Sequence, residues 1–294
     1  MKCEICPRRC GVDRKIERGF CGESWNPRIA LVSLHRWEEP CLIGENGAGT
    51  IFFSGCSLRC CYCQNREISQ HYGFGIEVSI DRLAEIFLEQ QNRGASNLDL
   101  VTPTHFVPAI IDAIEIARRH GLNLPIVYNS HGYENLETLE MLRGSIDIFL
   151  PDLKSGAEEF SNAPNYFEVA TQAILKMFEI VGDLQFDSLG NLKRGMIIRH
   201  LILPNHRKES LKIVEWIAEN FKDRVILSLM RQYTPMPDVP KSIDRKLTSF
   251  EYDSVVNRAL DLGLEKIFVQ ELESSSKIFI PTFNGENVIR DSKF

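Results

Sequence analysis

The strongest chemical signal in this chain is the run Cys56-Ser57-Leu58-Arg59-Cys60-Cys61-Tyr62-Cys63. Read as CxxxCxxC, it sets three thiolates on one compact loop. Cysteine thiolates are the usual ligands of iron–sulfur clusters, and a cubane normally takes four of them. Three protein ligands, Cys56, Cys60 and Cys63, would therefore leave one iron of a [4Fe–4S] cluster open to a small molecule. The competing assignment is a zinc knot, which prefers four closed ligands, often as paired CxxC motifs. Cys61 could supply a fourth sulfur, but its cysteine and tyrosine neighbours leave it poorly placed to face the same metal. The spacing, an apolar strand just before the loop and the aromatic Tyr62 before the last cysteine all favour the open cluster.

A second set of sulfurs lies at the start of the chain. Cys3, Cys6 and Cys10 form CxxCxxxC, and Cys21 follows eleven residues later. Four thiolates fit a closed tetrahedral zinc site or an auxiliary iron–sulfur cluster. A short module with little apolar content needs a metal to fold. Cys41 and Cys61 are expected to be unligated, although Cys41 could replace one of the four. All nine cysteines lie in the first 63 residues. A disulfide scaffold would spread its bridges along the chain, so this front-loading reads as metal ligation in a reducing compartment.

These loops need elements to hold them. Residues 1–45 read as an N-terminal cysteine-rich metal module and 46–294 as a repeating βα body. The body opens with a strand at 50–53. Helices are expected at 79–93, 108–120, 134–143, 166–180, 208–221 and 250–262, from apolar residues recurring at helical spacing. Strands are expected at 98–101, 126–128, 146–150, 196–203, 225–230 and 267–270. Gly94, Gly121 and Gly144 stop helices, and Thr248 with Glu251 has the spacing of a capping box. Asp187–Asn191 reads as the turn of a hairpin-like insertion. About six βα units imply a parallel sheet with helices outside it, curled into a partial (β/α)6 barrel. Chemistry then belongs at the carboxyl ends of the strands, where the cysteine loop after the first strand is placed.

The chain resembles the radical S-adenosylmethionine (SAM) superfamily over most of its length, and within it the pyruvate formate-lyase activating enzymes and their relatives. Phe53-Ser54-Gly55-Cys56, the cluster loop and Cys63-Gln64-Asn65 carry the resemblance. The stretch from Trp37-Glu38-Glu39-Pro40-Cys41 to Gly49-Thr50 is similar to the related-protein branch rather than to the well-studied activases. The resemblance implies that the open iron chelates the amino and carboxylate groups of SAM. One low-potential electron from a donor then breaks a carbon–sulfur bond, and the resulting 5′-deoxyadenosyl radical abstracts hydrogen from a substrate. It also implies that Tyr62 lies against the cluster near the SAM adenine.

Many superfamily members carry a Gly-Gly-Glu-like segment after the second strand, which binds the SAM amino group. This chain has Thr102-Pro103-Thr104-His105 there, so the hydroxyls of Thr102 and Thr104 or nearby carbonyls are the candidates, with a helix cap the alternative for Thr104. Asn129, at a strand's carboxyl end, is a candidate for the SAM ribose. Asp152 and Lys154 stand two apart on one side of an extended segment, and resemble the Asp-x-Lys of glycyl-radical activases. Arg199 is a charge inside an apolar strand, so it must be paired or face a polar cavity. Its guanidinium suits the SAM carboxylate or ribose. His200 is expected to point the other way. Gln232 and Tyr233 should complete the pocket rim.

Net charge is −6 with both signs mixed along the chain, which argues against a nucleic-acid partner. No apolar run is long enough for a membrane helix, and the first residues lack a signal peptide's apolar stretch. A cytoplasmic protein is expected. The favoured reaction is activase-like, on a glycine of a partner glycyl-radical enzyme. A radical reaction on another peptide, a metabolite or RNA is the alternative, and a non-catalytic metal protein is a third reading.

Overall fold

The computed structural model describes residues 2–161, 163–271 and 281–289. In chain order its elements are β1 (Arg28–His35), α1 (Pro40–Ile43), β2 (Ala48–Phe53), α2 (Arg66–Gln70), β3 (Ile76–Glu77), α3 (Ile80–Asn92), β4 (Leu98–Val101), α4 (Val107–Arg119), β5 (Ile126–Ser130), α5 (Leu136–Met141), β6 (Ile148–Pro151), α6 (Ala157–Ser161), α7 (Tyr166–Val181), β7 (Gln185–Phe186), β8 (Leu192–Leu201), α8 (Arg207–Asn220), β9 (Ile226–Met230), α9 (Ser249–Asp261) and β10 (Ile267–Val269). Among the described residues one sheet runs in the order β10-β9-β8-β6-β5-β4-β2-β1-β3, with β7 paired to β8 as the expected hairpin. From β2 to β10 every neighbouring pair along that order is parallel. The helices α3, α4, α5, α7, α8 and α9 link consecutive parallel strands, as the βα alternation requires.

The strands form because they are apolar on both faces. Ile126, Val127 and Tyr128 of β5 are fully buried, and each such side chain is worth about 1.5–3 kcal/mol. Side-chain alternation then divides them. Ile126 and Tyr128 join the large core beneath the helices, whereas Val127 faces inward with Ile148, Leu150, Ile197 and Ile226. Ser79 caps α3 through the amide of Arg82, and Thr248 and Glu251 close the anticipated capping box on α9.

The sheet is curled but open. Glu38 touches Asp99 on β4 and ion-pairs with Arg199 on β8. Those strands lie three apart in the sheet, which would put them roughly 14 Å apart if it were flat. The partial barrel is therefore the observed architecture.

The amino-terminal segment departs from the expected division at residue 45. β1 pairs antiparallel with β2 and belongs to the barrel sheet. After it, the chain turns into the barrel, where Cys41 and Leu42 of α1 pack on Val127, Ile148, Leu150 and Ile197. The Asn97 amide fastens this plug by donating to the Leu42 carbonyl at 2.6 Å. The described residues before Arg28 stay outside both the sheet and the plug. No described helix is long and apolar enough to cross a membrane.

Candidate active site

The loop after β2 is held by its backbone. Gly55 has φ +81°, and a Cβ there would sit 2.5 Å from Glu23 Cγ and 2.7 Å from the Cys21 carbonyl oxygen, so only glycine fits. The Cys63 amide donates to the Cys60 carbonyl, and the Gln70 side chain donates to the same carbonyl at 2.7 Å. Cys56 and Cys60 are 9% and 6% exposed, and burial pushes their thiols up to about 12 and about 11 respectively. Cys60 and Cys63 lie near enough to Cys56, and Cys63 to Cys60, for their charges to add to that upward push. Two buried thiols of this kind, Cys56 and Cys60, become thiolates only beside a concentrated positive charge, which iron supplies. Among the described residues, no three Cys, His, Asp or Glu side chains converge tightly enough for a single metal ion. A cubane takes one thiolate on each iron and so accepts a wider triangle.

A cavity of about 710 Å³ opens beside this loop at the carboxyl ends of the strands. Cys56, Cys60, Tyr62, Cys63, Thr102, Asn129, Asp152, Lys154, Arg199 and Gln232 all line it. Tyr62 is buried edge-on against Phe160 and Tyr233, with its hydroxyl at the Cys60 sulfur. The Gln270 amide donates to Gln232 at the rim. Thr102 directly follows β4 with φ +57°, a strained position for a β-branched residue.

Four of these residues form one network. Arg199 Nε donates to Asp152 Oδ1 at 2.9 Å, while Lys154 Nζ donates to Asp152 Oδ2 at 2.6 Å. Burial opposes the Asp152 charge, but Arg199 and Lys154 outweigh it and hold the carboxyl below its usual range. Burial likewise opposes the Lys154 charge, and Asp152 and Cys60 overcome it, so the amine is held above its usual range. Arg199 also donates to Asn129 Oδ1 at 2.5 Å, and Asn129 in turn donates to Asp99 Oδ2 at 3.4 Å. Both Arg199 and Asn129 line the cavity, and within the protein the guanidinium is also held by Asp152, Asn129 and Glu38.

Thr104 does not reach the cavity. It is fully buried on a 3-10 turn, and its hydroxyl donates to Glu134 Oε1 at 2.6 Å. Nor does it cap α4, whose cap residue is Phe106. Glu134 sits in a closed polar pocket with Tyr128 and Ser130, where burial raises its carboxyl to about 7. His200 points away from the cavity and bonds the Leu153 carbonyl, as its alternation with Arg199 requires.

The N-terminal cysteines share one segment, although among the described residues no three of them converge tightly enough for a single metal ion. Cys3, Cys6 and Cys21 interact electrostatically, and Cys10 and Cys21 flank Gly19 with their sulfurs. Burial raises the Cys6 thiol to about 12 and the Cys21 thiol in the same direction. This module lies against the cluster loop, with Arg8 donating to the Ser57 carbonyl at 2.8 Å.

Sequence reasoning missed Glu38, Glu39 and Asp99, which stand around Arg199. Asp99 carried a signal, since Leu98-Asp99-Leu100 places a charge in an apolar strand just as Arg199 does. His131 was also missed. It lines the cavity and bonds Ser57 at 2.9 Å.

The radical SAM superfamily model matches residues 50–217, more than half of the chain. An uncharacterized protein of Methanocaldococcus jannaschii is 30% identical over 283 residues, spanning 90% of this chain and 76% of that one. A pyruvate formate-lyase-activating enzyme of Clostridium pasteurianum is 24% identical over 221 residues, spanning 70% of this chain and 84% of its own. The crystal structure of Streptococcus suis SuiB superposes with a TM-score of 0.50 at 12% identity over 76% of this chain, a likeness of fold. A second SuiB structure, bound to S-adenosylmethionine, gives the same score over 73% of this chain. This chain spans about half the length of these SuiB structures, 47% in each case.

Proposed function

The chain belongs to the radical SAM superfamily, and on that premise we propose that Cys56, Cys60 and Cys63 hold its [4Fe–4S] cluster at the mouth of the barrel cavity. The observation that carries this reading is the shared cavity, in which the three sulfurs stand with Tyr62, Asp152, Lys154 and Gln232. The cluster and SAM together supply reductive cleavage of a carbon–sulfur bond and a 5′-deoxyadenosyl radical. Tyr62 walls the loop with an aromatic face. Lys154, held charged by Asp152, places a fixed positive charge beside Cys60. Thr102 and Gln232 offer polar groups at the rim for SAM.

The favoured substrate is a glycine in a partner protein, as in a glycyl-radical activase. The likeness to the C. pasteurianum activating enzyme and the Asp152-x-Lys154 pair support it. Such a reaction needs a low-potential electron donor as a further partner. The N-terminal Cys3, Cys6, Cys10 and Cys21 are proposed as a second metal site, either zinc or iron–sulfur, supported by the Cys10 and Cys21 sulfurs beside Gly19 and by the electrostatic proximity of Cys3, Cys6 and Cys21.

The test is anaerobic reconstitution, reduction and addition of SAM, with 5′-deoxyadenosine quantified by chromatography. Product from wild type and none from Cys60→Ala is expected. Failure of the wild type to take up a [4Fe–4S] cluster rejects the proposal. Zinc and iron counts per chain, with and without Cys3 and Cys6, identify the second metal.

A further inference from the structure

The inner wall of the cavity holds more carboxylates than cations. Glu38, Glu39 and Asp152 line it, and Asp99 points from β4 into the barrel behind Glu38. Against these four acids stand Arg199 and Lys154. Asp152 takes both of them at close range, and the remaining Arg199 nitrogen faces Glu38 at 3.5 Å. No basic side chain among the described residues is within ion-pair distance of Glu39 or Asp99.

Asp99 makes the deficit concrete. It is fully buried, and its Oδ1 has no hydrogen-bond partner. A buried acceptor left unmade is costly, and more so if charged. Burial and Glu38 push the Asp99 carboxyl well above its usual range, and burial raises Glu39 to about 7, against the pull of the one nearby guanidinium of Arg199. The fold nevertheless carries both glutamates on the plug segment into the barrel. There Glu39 bonds Ser228 of β9, and Glu38 meets Asp99 of β4. Packing alone would be served by apolar residues, as it is one turn later by Cys41 and Leu42.

Apolar side chains flank the acids. Phe52, Val101, Leu201, Met230 and Phe268 line the same cavity. A carboxylate group with an apolar approach matches an aliphatic chain ending in a positive charge. We propose that Glu38 and Glu39, backed by Asp99, form a subsite for an alkylammonium group of the substrate, such as a lysine side chain or a small amine. This inference rests on the radical SAM reading, because it takes the cavity beside the cysteine loop as the reaction chamber. SAM also carries an ammonium group, and the test separates that source.

The probe is n-butylammonium, with n-butanol as its neutral counterpart, titrated by calorimetry into the reconstituted protein with and without SAM. The amine is expected to bind in the presence of SAM and the alcohol is not. Glu39→Gln and Glu38→Gln are expected to weaken amine binding by about tenfold or more, and Glu39→Asp, which keeps the charge, to restore most of it. Equal binding of amine and alcohol overturns the proposal, as does unchanged amine binding in both Gln variants. Displacement of the amine by SAM one for one also overturns it, since the acids would then hold the SAM ammonium. The same preparation is assayed for 5′-deoxyadenosine. Wild type that forms this product yet ignores butylammonium defeats the subsite and leaves the radical SAM reading standing.

Discussion

The backbone amide of Cys56 donates to the carbonyl oxygen of Cys21 at 3.2 Å. One residue opens the barrel's cysteine loop and the other closes the N-terminal cysteine set. The two groups of sulfurs are therefore built as neighbours, and the fold of one supports the backbone of the other.

Replacing Cys21 by Ser is expected to disturb both groups. The metal proposed for the N-terminal module should be lost, and the Cys56 amide should lose a partner that only a folded module presents. Metal content per chain should fall, and the thermal midpoint should drop by about 2–4 °C for each kcal/mol lost in a chain this size. Unchanged metal and an unchanged midpoint would reject the second site.

Asp152 is the shared counterion of Arg199 and Lys154, whose side chains are 16% and 15% exposed. Asp152→Asn leaves Lys154 without its carboxylate and Arg199 with Glu38 alone at 3.5 Å, and a loss of about 3–5 kcal/mol is expected. Lys154→Met should cost less, because Arg199 still pairs. The double variant should be more stable than the sum of the single losses predicts, which denaturant unfolding of the cycle would measure. Additivity would show that the three charges are independent.

Thr102 adopts φ +57° with a β-branched side chain. In this region a Cβ costs about 1–2 kcal/mol. Thr102→Gly is therefore expected to be more stable than Thr102→Ala by about 1 kcal/mol. Equal unfolding midpoints for the two would mean that neighbouring contacts absorb the strain.

Stability should depend on pH from both sides. Glu134 is 1% exposed, and burial raises its carboxyl from 4.5 to about 7. Between those values the unfolded chain ionises while the folded chain holds the proton. Stability therefore falls across that window by about 3 kcal/mol. Glu134→Gln should remove this loss. His105 and His131 are shifted the other way, to about 3, by burial together with the nearby charges of Arg14 and Lys154 respectively. Their contribution is complete above pH 6.5 and is lost as the pH falls from there toward 3. Urea unfolding of wild type and Glu134→Gln between pH 4 and 8 should show curves that converge at the acid end and diverge above about 5. Parallel curves would place the Glu134 proton elsewhere.

Much of the site was legible before any fold was known. The three-cysteine spacing, the βα alternation and the strand-end positions of Asn129, Asp152 and Arg199 are properties of residues close in the chain. Periodicity and short-range spacing report them directly. Side-chain alternation alone predicted that Arg199 faces the cavity and His200 turns away, and both do.

What only the tertiary structure decided is which distant groups meet. β1 reads as part of the cysteine module until its pairing with β2 places it in the sheet. Thr104 and Thr102 are two residues apart, yet a 3-10 turn buries one against Glu134 and leaves the other at the cavity. Arg199 has a bidentate group suited to a ligand, but its partners are Asp152, Asn129 and Glu38. The last of these arrives from far upstream because the chain between β1 and β2 enters the barrel. Residue type determines what a charge can pair with; the curl of the sheet and the path of the plug determine which partner is within reach, and no local pattern encodes that distance.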